Sequence, residues 1–481
     1  MDLEKLFRPK SMAVVGVSKS NNLSPGRIIL LKNEFEMNVD VYGIHPSGGT
    51  IEGIPLYKSL DELPVKPDIL AIAVGPDDTL SYIEQCAQYD IPASIIIGGG
   101  FAEIGGKGIE RQQKLEKIAF ENDIAVLGPN CIGVYSPPLI DTVFLPTERI
   151  TRPPKGSVAL ISQSGGVLID QFFVKFKERN IGVSTAVSIG NRAVVDETML
   201  LEYFSKIDPD TSNIAFYLEG FKEDGARKFL NLAKQSEDTV IAYFGGITAQ
   251  GKVATQSHTA SLGGNLKVLS GALKQFYIIQ PHSERELLTE LKVFDVLSHK
   301  QKPFGQNTVT FGDVAVLSVS GGHGVLCADM LKDYGLKAVQ FTDEEKEDMY
   351  ELMNPVAREI ASFNNPIDLT GSVLDKDIES IVEYLSGIER IECILLLLLP
   401  YPPNISFQIG RRITNVVANK RKPIITFIPY VEKYQMIIES LEIGNIPVFH
   451  SIKEVVQAAS ALKTRTRFQN LKRENIFWED R

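Results

Sequence analysis

Short apolar runs rich in Val, Ile and Leu recur along the chain, each followed by a longer stretch with apolar residues at helical spacing. MAVVGV at 12–17, VDVY at 39–42, ILAIAV at 69–74, ASIII at 93–97 and IAVL at 124–127 read as strands. The stretches 80–89 and 108–122 read as helices between them. Strands that are apolar on both faces and alternate with helices imply βαβ units and a parallel sheet. This first block ends near Pro137-Pro138.

The pattern then restarts twice. A strand at 158–161 leads into Ser162-Gln163-Ser164-Gly165-Gly166 and a helix through 177, with further strands at 183–189, 214–218 and 240–243. The polar stretch around 299–312, with Pro and Gly, reads as a linker. Beyond it a strand at 314–319 leads into Ser320-Gly321-Gly322-His323-Gly324 and a helix over 325–334, and strands follow at 391–399 and 423–427. The expected fold is α/β: a Rossmann-like domain over 1–138, a flavodoxin-like domain over 150–298, a linker over 299–312, a second flavodoxin-like domain over 313–465 and a peripheral tail over 466–481. The turns SQSGG and SGGHG stand in equivalent places.

Composition narrows the function. At ~100–200 residues per domain, 481 residues make about three domains. Fifty basic against sixty acidic residues, net −10, argue against a nucleic-acid binder. Cys86, Cys131, Cys327 and Cys393 show no C-x-x-C spacing, so neither a metal site nor a disulfide framework is expected. The longest apolar run, 394–399, is far short of the ~20 residues of a membrane span. A soluble cytoplasmic protein with no membrane contact is expected.

Glycine turns carry the first candidate chemistry. Gly16-Val17-Ser18-Lys19 follows the first strand, where a helix N-terminus offers free N–H groups and a positive dipole to phosphate. There is no clean G-x-G-x-x-G and no Walker A lysine, and the turn alone is equally a plain β–α connection. Other loops at the same sheet edge hold His45-Pro46, Val74-Gly75-Pro76, Gly99-Gly100-Phe101 and Asn130-Cys131. Together they outline a crevice for a long nucleotide-like ligand. Ser162, Ser164, Gly165 and Gly166 form a sharper anion cradle, with an ordinary N-cap as its plain alternative.

Six histidines occur, and His258 lies in the small, polar segment Gln256-Ser257-His258-Thr259-Ala260-Ser261-Leu262-Gly263-Gly264. Such a segment suits a movable nucleophile among hydroxyls, although composition alone favours an idle surface histidine. Glu219, ending the strand 214–218, offers a carboxylate that could fix an imidazole tautomer.

These residues resemble a family. FRPKSMAVVGVS at 7–18, GPNCIG at 128–133, SQSGG at 162–166, SIGNRAVVDETMLLEYF at 188–204, YLEG at 217–220, SHTASLGG at 257–264 and NPIDLTG at 365–371 follow one another as in the α subunits of ADP-forming (NDP-forming) acyl-CoA synthetases, relatives of succinyl-CoA synthetase. The resemblance implies a CoA-binding first domain and a transiently phosphorylated His258 with Glu219 as its partner. It implies that Ser162, Ser164, Gly165 and Gly166 hold the phosphate. It further implies that acyl-CoA, phosphate and ADP interconvert with acid, CoA and ATP through an acyl phosphate. ADP/ATP and Mg would sit on a separate ATP-grasp β subunit in an α₂β₂ assembly.

The chain departs from the family pattern in places. Phe244-Gly245-Gly246-Ile247-Thr248 replaces a Lys-Ala-Gly-Arg-Ser type segment, His45-Pro46-Ser47 replaces Asn-Pro-Lys, and Gly-Gly-His-Gly with His323 replaces Gly-Gly-Pro-Gly. The losses of basic residues leave a competing reading open: a degenerate CoA-binding scaffold or regulatory subunit without phosphoryl transfer.

Overall fold

A computed structural model describes residues 1–222, 224–248, 250–251, 266–297, 308–419 and 422–479. The chain forms two compact units, Met1–His282 and Ser283–Arg481. The first holds two sheets and the second holds one.

The first sheet runs 49–51, 54–57, 40–44, 11–15, 69–72, 93–96 and 125–127 from edge to edge. All its neighbours are parallel except the hairpin pair 49–51/54–57. Beyond the edge strand the order is the doubly wound 3-2-1-4-5-6. Every residue of Ser11–Val15 is buried. Met12 and Val14 face one core while Ala13 and Val15 face the other, because helices cover both sides of the sheet.

The second sheet runs 239–244, 213–218, 155–162, 183–188, 134–136 and 140–141. Its four long strands are parallel in the flavodoxin order 2-1-3-4, and the last two form an antiparallel edge hairpin. Pro137-Pro138 is the turn of that hairpin. Phe7 stacks on Tyr203 and Phe204 at 4.9 and 5.1 Å, and Arg8 forks onto Asp208 and Asp210. Such ring pairs add roughly 0.5–1.5 kcal/mol beyond burial. One apolar cluster consequently runs from the first sheet into the second.

The unit Ser283–Arg481 carries the order 337–338, 313–318, 393–397, 424–427, 448–449, with 367–368 also pairing to 313–318. The main path is the complete 2-1-3-4-5 order. The helix Glu284–Leu297, which the sequence pattern assigns to the middle block, belongs to this unit and packs on the final helix, Ile452–Glu479. That final helix continues through the expected tail. Arg465, Thr466 and Lys472 are buried on it, so the charged composition that suggests a peripheral segment conceals a packed face. Arg465 lies over the Phe294 ring, and burial pushes its guanidinium down to about 10.

Among the described residues no helix is long and apolar enough to cross a membrane, and no cluster of His, Cys, Asp and Glu could hold a metal.

Candidate functional site

The strand order of the first sheet reverses between Ser11–Val15 and Ile69–Ile72, and Gly16 sits at that point with φ +88°. A Cβ there would lie 2.2 Å from the Ala73 carbonyl oxygen and 3.1 Å from a Val74 methyl. Only glycine lets the two loops touch. Val17 turns into the core, and the Ser18 hydroxyl accepts from the Asn21 N–H. Lys19 donates to the Ser47 hydroxyl at 2.8 Å, and the Ser47 N–H donates to His45 Nδ1. The His45-Pro46-Ser47 loop therefore still meets a cation, one supplied by Lys19.

Along the same edge Gly75 precedes the helix Pro76–Gln88, and the Thr79 hydroxyl donates to its carbonyl. Gly100 packs over the Pro76 ring, while Gly99 lies against Glu103 and Asn130. The loop 98–101, expected to help form a crevice, is closed on itself. The Gly100 and Phe101 N–H groups donate to Glu103 Oε1, so the chain's own carboxylate fills that place. Phe101 itself is buried. The other carboxylate oxygen of Glu103 accepts from Asn191, which also accepts from Asn130. Partial burial pushes Glu103 up, but the donors of Asn191, Gly100 and Phe101 outweigh it and hold the carboxyl below its ordinary range.

The second sheet meets this edge. Strand Lys155–Ser162 ends at its own reversal point, beside Asn213–Leu218. The Ser162 hydroxyl is buried and donates to the Ser164 carbonyl at 2.6 Å, which shapes the turn. The Ser164 hydroxyl accepts from the Val167 N–H at the start of the helix. That helix opens in π form over Val167–Phe173, a form frequent at functional sites. A Cβ on Gly165 would lie 2.2 Å from Ile132, while one on Gly166 would meet nothing within 4 Å. Gln163 bridges to the neighbouring strand, its N–H donating to the Tyr217 carbonyl and its Oε1 accepting from the Glu219 N–H. Glu219 is thereby fixed next to the turn, half-buried. Burial, with the Glu219 charge, pushes the Tyr217 hydroxyl up to about 12.

One cavity of about 640 Å³ joins the two edges. Ile97, Glu103, Asn130, Cys131 and Ile132 line it from the first side, and Gln163, Ser164, Gly165 and Gly166 from the second. Ala102, Gly105, Ile109, Phe144, Gly190, Asn191 and Arg192 complete it. Gly190 has φ +54° and packs on the Pro129 carbonyl. Arg192 donates to Glu197 and to the Gly220 carbonyl. The Cys131 thiol donates to the Ile96 carbonyl, and burial pushes it up to about 12, so it is a protonated wall residue. Next in sequence to Phe144, the Val143 backbone is held by a buried ion cluster. Asp141 pairs with Lys32 at 2.9 Å and with Arg152 at 2.8 Å, and its Oδ1 accepts from the Val143 N–H.

The cavity thus gathers Asn130, Cys131, Ser164, Gly165 and Gly166 from the sequence candidates. The turn 16–19 and the loops at His45 and Val74 lie further along the first sheet's edge and do not line it. His258 falls in 252–265, outside the described residues. Glu103, Gln163, Asn191, Arg192 and Phe144 were not candidates from sequence. A signal existed for three of them, since Gln163 lies inside SQSGG and Asn191-Arg192 inside SIGNRAVVDE.

Two family models match the chain. A CoA binding domain matches residues 10–137, and a succinyl-CoA ligase like flavodoxin domain matches 155–294. The α subunit of acetate–CoA ligase [ADP-forming] I from Pyrococcus furiosus is 31% identical over 476 residues, covering 96% of this chain and 97% of that one. The chain belongs to the α subunits of ADP-forming acyl-CoA synthetases. A Methanocaldococcus jannaschii acetate–CoA ligase [ADP-forming] is 34% identical over 377 residues, and this chain spans about half of its length, 49%. The solved synthetase of Ca. Korarchaeum cryptofilum, a dinucleotide forming acetyl-coenzyme A synthetase 1 in complex with phosphate and ADP, superposes with a TM-score of 0.86 at 28% identity. That match covers 98% of this chain and 99% of the other. Phe244, one of the departures named above, is buried against Phe221, with rings 5.6 Å apart.

Proposed function

We propose that the chain is the acyl-transfer half of an ADP-forming acyl-CoA synthetase that works with a separate ATP-grasp β subunit in an α₂β₂ assembly. The observation that carries this is the shared cavity, in which the carboxyl edge of a CoA-binding domain meets a Ser-Gly-Gly helix N-terminus. CoA would lie along the first edge, from Gly16, Val17, Ser18 and Lys19 past His45, Pro46, Val74, Gly75 and Pro76. Its thiol end would reach the cavity at Asn130 and Cys131, beside Gly99, Gly100 and Phe101.

In the direction of ATP synthesis a phosphate oxygen attacks the thioester carbonyl. The C–S bond breaks, CoA leaves as the thiol after taking a proton, and an acyl phosphate remains. The Ser164 hydroxyl and the N–H groups of Gly165 and Gly166 would hold the phosphoryl oxygens, where dipole and donors face growing negative charge. An imidazole nitrogen of His258 then attacks phosphorus and the carboxylate departs as free acid. Glu219 would accept a hydrogen bond from the other ring nitrogen and stabilise the cationic ring. The phosphohistidine finally transfers to the β-phosphate of ADP, which with Mg would be bound by the β subunit. Two short transfers replace one long one.

The test uses the chain with its ATP-grasp partner, γ-labelled ATP and Mg²⁺. Acid-labile, base-stable label on this chain is expected, absent in His258→Asn and discharged by acid plus CoA. Measurable CoA binding with no label would replace this function with the scaffold reading.

A further inference from the structure

We propose that Asn130 donates a hydrogen bond to the reacting acyl carbonyl, and that Glu103, acting through Asn191, is the positioning residue that aims it; the inference deepens the function proposed above and rests on it. Three side chains from separate segments of the unit Met1–His282 meet in one relay at the cavity wall. Glu103 Oε1 accepts from the Gly100 and Phe101 N–H groups, and its Oε2 accepts from Asn191 Nδ2. Asn191 Nδ2 spends its second hydrogen on Gln112 Oε1 at 3.2 Å. The oxygen of the Asn191 amide is therefore the end turned to Asn130, and it accepts from Asn130 Nδ2 at 3.3 Å.

Direction is what the relay transmits. A carboxylate only accepts, so Glu103 fixes which end of the Asn191 amide faces it, and Asn191 in turn fixes which end of Asn130 it meets. Asn130 Nδ2 is left with one hydrogen, for which the described residues show no acceptor. The backbone beneath it is clamped: the Asn130 N–H donates to the Gly98 carbonyl at 3.0 Å, and the Asn191 N–H donates to the Pro129 carbonyl at 2.9 Å. Glu103 is exposed, so what it contributes is orientation and not a buried charge. Ser164, Gly165 and Gly166 line the same cavity with donors for phosphoryl oxygens, which leaves Asn130 for the carbonyl oxygen. In acyl-CoA synthesis the CoA sulfur adds to the carbonyl carbon of the acyl phosphate and the C=O pair moves onto oxygen. Its return breaks the C–O bond to phosphate, which leaves with the thiol proton. A fixed N–H aimed at that oxygen stabilises the charge as it develops.

The test uses the full chain with its ATP-grasp partner, γ-labelled ATP and Mg²⁺, and discharges the label with CoA and whichever of acetate, butyrate and phenylacetate works best. Glu103→Gln keeps an oxygen for the Gly100 and Phe101 N–H groups but turns an amide nitrogen toward Asn191, which reverses both asparagine amides in turn. Discharge and kcat should fall about 30-fold, somewhat less than for outright loss of an oxyanion donor. The melt should not move, and the KM for CoA and the rate of labelling should stay within about twofold of wild type, because neither involves the carbonyl step. Asn191→Asp sets two carboxylates face to face and should slow discharge at least as much. The double variant Glu103→Gln/Asn191→Asp again points donor to acceptor along the relay and should recover to within about fivefold of wild type. Discharge by Glu103→Gln within about threefold of wild type, labelling and discharge falling together, or a double variant no faster than the single ones overturns the relay alone. A wild type that takes no label, or whose label none of the three acids discharges, overturns the proposed function and the relay together.

Discussion

Two turns of the form Ser-X-Ser-Gly-Gly follow the first strands of the second and third sheets, at 162–166 and 318–322. In each the first serine donates to the carbonyl of the second, at 2.6 and 2.7 Å. In each the first glycine is tightly packed and the second meets nothing within 4 Å. What packs on the first glycine differs. At Gly165 it is the apolar side chain of Ile132, and the helix N-terminus faces a cavity. At Gly321 it is a carboxylate, with a built Cβ lying 2.6 Å from Asp368 Oδ2. Asp368 is anchored by the Thr370 N–H and sits where its charge complements the helix dipole. One backbone device thus serves two ends. In the unit Met1–His282 it is left facing a cavity, and in the unit Ser283–Arg481 an internal anion already answers it.

The largest effect should come from closing the first turn. Gly165→Ala puts a methyl into Ile132, and the turn must shift by a sizeable fraction of an ångström. Acyl-CoA synthesis with the partner subunit should fall about 100-fold, the scale of a small misplacement at a reacting centre. Overpacking should also cost roughly 1–3 kcal/mol in a denaturant melt. Unchanged turnover would mean that the tight Ile132 contact does not set the cradle.

The first unit also buries a charge cluster beside the lining residue Phe144, where Lys32 and Asp141 hold the Val143 backbone. Burial pushes Lys32 down to about 8 from its ordinary 10.5, with Asp141 pulling it up and Arg152 pushing it further down. Between pH 8 and 10.5 the unfolded chain holds a proton that the folded chain has released. Raising the pH through that window therefore stabilises the fold, by at most about 3 kcal/mol, and below pH 8 the contribution is flat. Urea melts from pH 7 to 10 should show this rise in the wild type and not in Lys32→Met. A flat wild-type curve would show that Lys32 titrates as an exposed lysine.

A smaller effect is expected from unplugging the second turn. Asp368→Ala removes the charge at the N-terminus of the helix Gly321–Leu331 and should cost about 1 kcal/mol, less at high salt. No loss, or a loss indifferent to salt, would reduce Asp368 to a filler of space.

The sequence made the sheets legible because buried parallel strands are continuous apolar runs, and Ser11–Val15 and Cys393–Leu397 are buried throughout. The glycines at 16, 165 and 166 were legible for a related reason, since backbone contacts that exclude a Cβ leave a glycine behind. Partnership was not. The pattern aligns SQSGG with SGGHG, but the structure aligns it with Ser318–Gly322, two residues earlier, because the serine-to-carbonyl bond and not the glycine count defines the turn. Nor does a glutamate announce its target. Glu103 reads as a loop residue, yet its carboxylate takes the N–H groups of the loop 98–101, one of those that outline the expected crevice. The two prolines at 137–138 read as a boundary because a hairpin turn and a linker use the same residue. Long-range pairing decides which, and it leaves no local trace.

The finest comparison lies at the second glycines, Gly166 and Gly322, where a built Cβ meets nothing within 4 Å in either turn. Alanine at each should favour the helix by up to about 1 kcal/mol, so neither variant should lose stability. Their consequences for activity should separate. Gly166 lines the cavity, so its methyl would stand beside the phosphoryl seat and raise the KM for phosphate several-fold while the melt stays level or improves. Gly322 stands at a turn whose helix end is already answered by Asp368, and Gly322→Ala should leave the phosphate KM alone. If Gly322→Ala raised that KM as much as Gly166→Ala, the second turn would be handling substrate phosphate too, and the division of labour between the two turns would fall.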